Sequence, residues 1–270
     1  MTKARLILCA DDFALSRPIS ETIVALAHEG RLNAISCMSV CPGWTADARL
    51  LDDLPAGIEI GLHLTLTGEA PLTDMPEYVP DGGVMPEIDP LTVAAMKGNL
   101  PLEEIEGEIA AQFRAFRRAT GRMPDFVDAH QHAHVLPGIR RLFLDAVAMH
   151  APAAWIRDCG DRMSAIAARP YRGKAIGSAY HARGLRRAAA QRGLACNSSF
   201  AGHYDFNSDY ERVFPRFLRR PGAVHLIMCH PGAGELPGDT IAAARLREAS
   251  ALHRMQIADI ARAYGLEFGG

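Results

Sequence analysis

Short apolar runs alternate with helical patterns along nearly the whole chain, and that alternation restricts the fold more than any other feature. Residues 5–10 are apolar on both faces, as a strand buried in a parallel sheet is. Ser16 then offers a helix N-cap, Pro18 is tolerated in a first turn, and Gly30 closes the helix. Residues 34–40 read as a second strand and residues 45–51 as a short helix. Residues 58–64 set Ile58, Ile60, Leu62 and Leu64 on one face, with Glu59, Gly61 and His63 on the other. An amphipathic helix spans residues 102–120, its stripe made by Leu102, Ile105, Ile109, Phe113 and Phe116, and Gly121 ends it. Further strands are expected at residues 126–129, 153–156, 194–197 and 223–229. The helices between and after them fall at residues 137–149, 180–192 and 242–264, the last with a break near His253. Such a pattern predicts an α/β fold with a mainly parallel sheet, either open or closed into an imperfect barrel.

Residues 65–101 interrupt the pattern with Pro71, Pro76, Pro80, Pro86, Pro90 and Pro101, and with Gly68, Gly82, Gly83 and Gly98. This reads as a long irregular insertion, either a lid or binding excursion or a tolerated surface loop. The length of 270 residues suits a single catalytic domain carrying that insertion. With 29 Lys and Arg against 31 Asp and Glu, the net charge of −2 provides no basic field for nucleic acid or an anionic membrane. The apolar runs fall far short of the roughly 20 residues that span a bilayer. The first of them stops at Asp11-Asp12, too soon for a signal peptide. Six cysteines without a CxxC pair imply free thiols and a cytoplasmic protein.

In parallel α/β folds the chemistry gathers at the C-terminal ends of strands. Those ends carry Asp11-Asp12, His63, Asp128 with His130, Arg157, Asn197 and His230. Each has a structural reading as well: an Asp pair can cap a helix, and a strand histidine can be a hydrogen-bonded core residue. Ser16 is the better cap, and packing alone does not require carboxylates and imidazoles at four strand ends. Asp128, His130, His132 and His134 would share a face if the strand continued, but Pro137 argues that it stops. Cys229 precedes His230 on the opposite face and reads as core, not as a thiol nucleophile. Gly202–Phe206, after a strand, is a weaker candidate for lining a sugar site. Ligands drawn from separate strands leave positions open for water, so two histidines and a carboxylate suit one catalytic divalent ion.

The segments Ala10-Asp11-Asp12-Phe13, Gly61-Leu62-His63-Leu64, Asp128-Ala129-His130-Gln131-His132-Ala133-His134 and His230-Pro231-Gly232 together resemble the YdjC-like family of carbohydrate deacetylases. Ala14 departs from the glycine common there. The resemblance implies a distorted, incomplete (β/α) barrel similar to that of the polysaccharide deacetylases. It implies one divalent ion, Mg2+ or Zn2+, held by Asp12, His63 and His130, and Asp11 as catalytic base. It also implies a small carbohydrate or glycolipid substrate, N-acetyl hydrolysis releasing acetate, and a homodimer. His230 is the expected acid, with His132 or His134 as alternatives, and Arg157 is expected to hold Asp11 ionised. The competing readings are another metal-dependent hydrolase, a phosphoesterase or amidohydrolase with a two-metal cluster, and a non-catalytic carbohydrate-binding module.

Overall fold

The structure is a computed structural model and describes residues 4–234 and 236–269. Its strands are β1 (Ala4–Phe13), β2 (Ala34–Cys37), β3 (Glu59–Leu64), β4 (Phe126–Ala129), β5 (Trp155–Ile156), β6 (Ser199–Ala201), β7 (Val224–Cys229) and β8 (Leu266–Glu267). The first five helices are α1 (Arg17–His28), α2 (Trp44–Asp47), α3 (Ile88–Lys97), α4 (Leu102–Thr120) and α5 (Ile139–His150). They are followed by α6 (Met163–Ala168), α7 (Arg172–His181), α8 (Leu185–Ala190), α9 (Tyr210–Phe217), α10 (Ala242–Arg254) and α11 (Ile257–Ala263).

The paired strands are parallel and lie in the order β5-β4-β3-β2-β1-β7-β6, with β8 against the start of β1. A single parallel bridge from Ile156 to Cys196 joins β5 to the segment entering β6. The sheet therefore curls into a ring with one thin seam, the distorted barrel expected. At the seam a side chain stands in for ladder bonds. Asn197 Oδ1 accepts from the Asp158 N–H at 2.7 Å, and Asn197 Nδ2 donates to the Asp158 carbonyl at 2.9 Å.

Burial follows the sequence pattern. Leu6, Ile7, Leu8, Cys9 and Ala10 are at most 1 % exposed, because β2 and β7 flank β1 on both edges. Ile105, Ile109, Phe113 and Phe116 of α4 pack inward, and each such burial contributes about 1.5–3 kcal/mol. Trp44 stacks on Phe116 at 5.6 Å and donates its indole N–H to the Ala115 carbonyl. Five of the cysteines are buried and all are free. Among the described residues, no helix is long and apolar enough to cross a membrane.

Several elements differ from expectation. β2 stops at Cys37, and residues 194–197 form only the seam bridge, the strand lying at β6 instead. The helix expected over residues 180–192 is two helices, because Gly184 takes a left-handed φ of +88° between α7 and α8. Helices α6 and α9 and strand β8 have no counterpart in the expected pattern. Ser16 stands at the N-cap of α1 without a side-chain capping bond. The insertion is not wholly irregular: α3 lies within it, and Leu66, Met75, Tyr78, Met85 and Leu91 are buried. Its turns are tied to α4 through carboxylates. Glu108 Oε2 accepts from Leu72 N, Thr73 N and Thr73 Oγ, and Glu104 accepts from Glu77 N and Tyr78 N. Where the irregular backbone of this segment leaves N–H groups without a carbonyl partner, the α4 carboxylates accept from them.

Candidate active site

Adjacent residues of a regular strand face opposite sides, so Asp11 and Asp12 can share a site only if β1 is irregular there. The apolar run over residues 5–10 predicts a strand that ends before them. Instead it continues to Phe13 through a bulge: its register against β2 shifts between Ala10 and Phe13, and Asp12 has φ +65°. Left-handed backbone is uncommon for a residue with a Cβ, though less so for Asp. Both carboxylates thereby turn to one end of the barrel, Asp11 2 % and Asp12 1 % exposed.

Asp12 Oδ1 lies 3.4 Å from His63 Nε2 and 3.1 Å from His130 Nδ1. One donor atom from each of these three residues falls within 4.8 Å of the others. On its far side, His63 Nδ1 meets Asp128 Oδ1 at 2.6 Å, which also accepts from Ser36 Oγ at 2.6 Å. A carboxylate behind a histidine fixes the ring and leaves the opposite nitrogen for a metal. Asp12 Oδ2 is occupied by Arg245 Nη2 at 2.8 Å, and Arg245 Nε is anchored on Asp239.

Arg157 is fully buried and grips both oxygens of Asp11 in a fork, each bond 2.6 Å, while its Nη2 also lies 2.6 Å from Asp128 Oδ2. His230 Nε2 stands 3.9 Å from Asp11 Oδ2, its side chain 15 % exposed. The expected residues Asp11, Asp12, His63, His130, Arg157 and His230 thus converge.

The other histidines separate. Gln131 and His132 both take left-handed φ, +52° and +60°, so the period-2 pattern after Asp128 breaks immediately. His134 turns into the core, its Nε2 donating to the Arg157 carbonyl, which leaves it no access to the site. His132 packs edge-on against Phe200 and His203. Cys229 is buried, as expected.

Carboxylates outnumber guanidiniums here, and the electrostatics respond. Burial opposes a charge on His63, but Asp128, Asp11 and hydrogen bonds to Asp12 and Asp128 outweigh it and push its pKa up to about 10. Burial would raise Asp128, yet Arg157 and His63 hold it down at about 2. Burial likewise opposes ionisation of Asp12, but Arg245 and His130 keep its pKa well below the usual range. His230 is lowered, chiefly by burial. An anionic pocket of two imidazoles and a carboxylate fits a divalent cation. A second group, Cys9, Asp11 and Asp128, also converges, but Arg157 Nη2 sits among those atoms and takes the place of a second ion.

Arg245, Ser36 and Glu248 escape a strand-end reading. Arg245 and Glu248 lie on the buried stripe of α10 with Ala249 and Leu252. Two charges on an apolar stripe are the signal that could have identified them.

A family model described as YdjC-like protein matches residues 5–263. Proteins named chitooligosaccharide deacetylase from Escherichia fergusonii and Yersinia enterocolitica are 34 % and 36 % identical to this chain over 134 residues. The match covers 50 % of this chain and 52 % of each relative, about half their length. A crystal structure from Enterococcus faecalis V583, of a protein to which cellobiose-phosphate cleavage has been ascribed, aligns over 99 % of this chain and 97 % of that one. Its TM-score is 0.72 at 18 % identity, a likeness of fold.

Proposed function

The chain belongs to the YdjC-like family, and from that premise we propose that it is a metal-dependent carbohydrate N-deacetylase, hydrolysing the N-acetyl group of an amino sugar to acetate and a free amine. The observation that carries this reading is the convergence of Asp12, His63 and His130, with Asp11 and His230 beside them. Asp12, His63 and His130 would hold one divalent cation, Mg2+ or Zn2+. Such a cation, when bound, acidifies water and polarises an amide carbonyl.

The remaining work falls to the chain. Asp11 accepts the proton of the attacking water, its orientation set by the Arg157 fork. Asp128 keeps His63 turned so that Nε2 faces Asp12. His230, its Nε2 3.9 Å from Asp11 Oδ2, donates the proton that the departing nitrogen requires. A C–O bond forms and the C–N bond breaks: Asp11 takes one proton from the water, His230 in its protonated form gives one to the nitrogen, and the proton held by Asp11 passes to His230 to reset both groups. Arg157 among Cys9, Asp11 and Asp128 favours this one-ion reading over a two-metal phosphoesterase. The family resemblance supports a homodimer.

Acetate release should be assayed on N-acetylated mono- and oligosaccharides, glycolipids and nucleotide sugars, with Zn2+ or Mg2+ added to chelator-treated protein. Metal-dependent release from at least one amino sugar is expected. Release unaffected by chelation, or phosphate-ester cleavage in its place, overturns the reading.

A further inference from the structure

Helix α10 touches the ends of three strands within one turn. Arg245 reaches Asp12 near the end of β1, Arg247 donates to the Phe206 carbonyl beyond β6, and Glu248 reaches both the β6 and β7 ends. Glu248 is fully buried. Its Oε2 accepts from the backbone N–H of His230 at 2.5 Å, and its Oε1 accepts from the Tyr204 hydroxyl at 2.5 Å. Tyr204 lies in the same short loop as His203 and Phe206, and the Phe206 ring stands edge-on to His230 at 5.6 Å. Both loops pass close against their neighbours. A Cβ at Gly202, where φ is +116°, would lie 2.4 Å from the Met228 carbonyl, and one at Gly232 would lie 2.9 Å from Ile19.

We propose that Glu248 is a positioning residue that locks His230 and the Tyr204–Phe206 loop into one geometry, so that His230 Nε2 faces Asp11 while Phe206 borders it. A buried carboxylate is costly unless its lone pairs are filled, and here each oxygen has one strong donor from a different loop. An apolar residue would fill the same space and leave both donors unmet. The backbone of His230 is thus held by α10, the element that follows β7 in the chain. This inference rests on the acid role given to His230, and its test separates the two.

Glu248→Gln, Tyr204→Phe and His230→Ala would be compared with the unaltered chain, all loaded with Zn2+. Amide hydrogen exchange at residues 229–232 needs no substrate. It should quicken about tenfold in Glu248→Gln, while residues of β1 and β3 keep their protection. With N,N′-diacetylchitobiose as probe, kcat should fall about tenfold or more in Glu248→Gln and less in Tyr204→Phe, with KM and the Zn2+ Kd unchanged. Unaltered exchange at residues 229–232, or a loss of kcat that follows a loss of Zn2+, overturns the proposal. Full activity in His230→Ala overturns the acid assignment instead. In that case, or if the probe releases no acetate, the exchange measurement alone judges the Glu248 bridge.

Discussion

Asp12 carries two duties that conflict on a regular strand: it must leave the alternation of β1, and it must present a single oxygen to the site. The left-handed φ performs the first and Arg245 on Oδ2 the second. Asp11, one residue earlier, is gripped by Arg157. The two positions should therefore separate under isosteric change. Asp12→Asn should lose metal, measured by elemental analysis after dialysis. Asp11→Asn should stay metal-replete and lose rate by on the order of 10²–10⁴. Metal loss in Asp11→Asn alone would reverse the roles. Asp128→Asn replaces the carboxylate behind His63 with a neutral amide and should weaken metal affinity by roughly 10–100-fold in a chelator competition. The six proposed site residues were legible because each ends or follows a strand. Arg245 is marked only by its place on the apolar stripe of α10, which signals a buried charge without naming the distant carboxylate it meets.

At the scale of elements, β3 depends on a residue that periodicity passes over. Gly61 shares the polar face of the strand with His63, and its α-hydrogens lie under the Phe126 ring of β4. A Cβ there would fall 2.3 Å from Phe126 Cε2, so Gly61→Ala must push the ring or part the two strands. The expected cost is about 1–3 kcal/mol, read from the urea midpoint, and metal affinity should weaken with it because His63 is two residues on. An unchanged midpoint would mean that Phe126 moves freely. The long helix α4 is readable to the residue, since its apolar spacing is unambiguous. Short elements such as α6, β6 and β8 were not, because two to six residues carry too little periodicity and tertiary pairing decides them. The insertion misled for another reason: its order comes from Glu104 and Glu108 of α4, outside its own sequence.

For the whole molecule, several buried histidines set a pH limit. Burial lowers His225 to about 3 and His134 and His203 to about 4, against about 6.5 for an unfolded histidine. The unfolded chain therefore takes up protons first, and the stability present above pH 6.5 falls as pH drops toward 4. Glu248 acts in the opposite direction, because burial raises it to about 7 and the folded chain gains that proton first. It offsets about one histidine. His63, already protonated in the metal-free chain by pH 6.5, changes little in this window. The net loss between pH 6.5 and 5 should be on the order of 2–4 kcal/mol in urea titrations of the metal-free protein. No loss would mean that these rings are charged or exposed. The ring of strands adds a direction to unfolding. All its joins are ladders except one, where a lone bridge and the Asn197 amide close the circle. A hoop with one clasp opens at the clasp. Breathing should begin between β5 and β6, and Arg157, next to the clasp, is the first site residue that such an opening reaches. The arc from β1 to β4, bearing Asp12, His63 and His130, lies away from it, so the molecule can loosen its hold on Asp11 while the ligand cluster stays assembled.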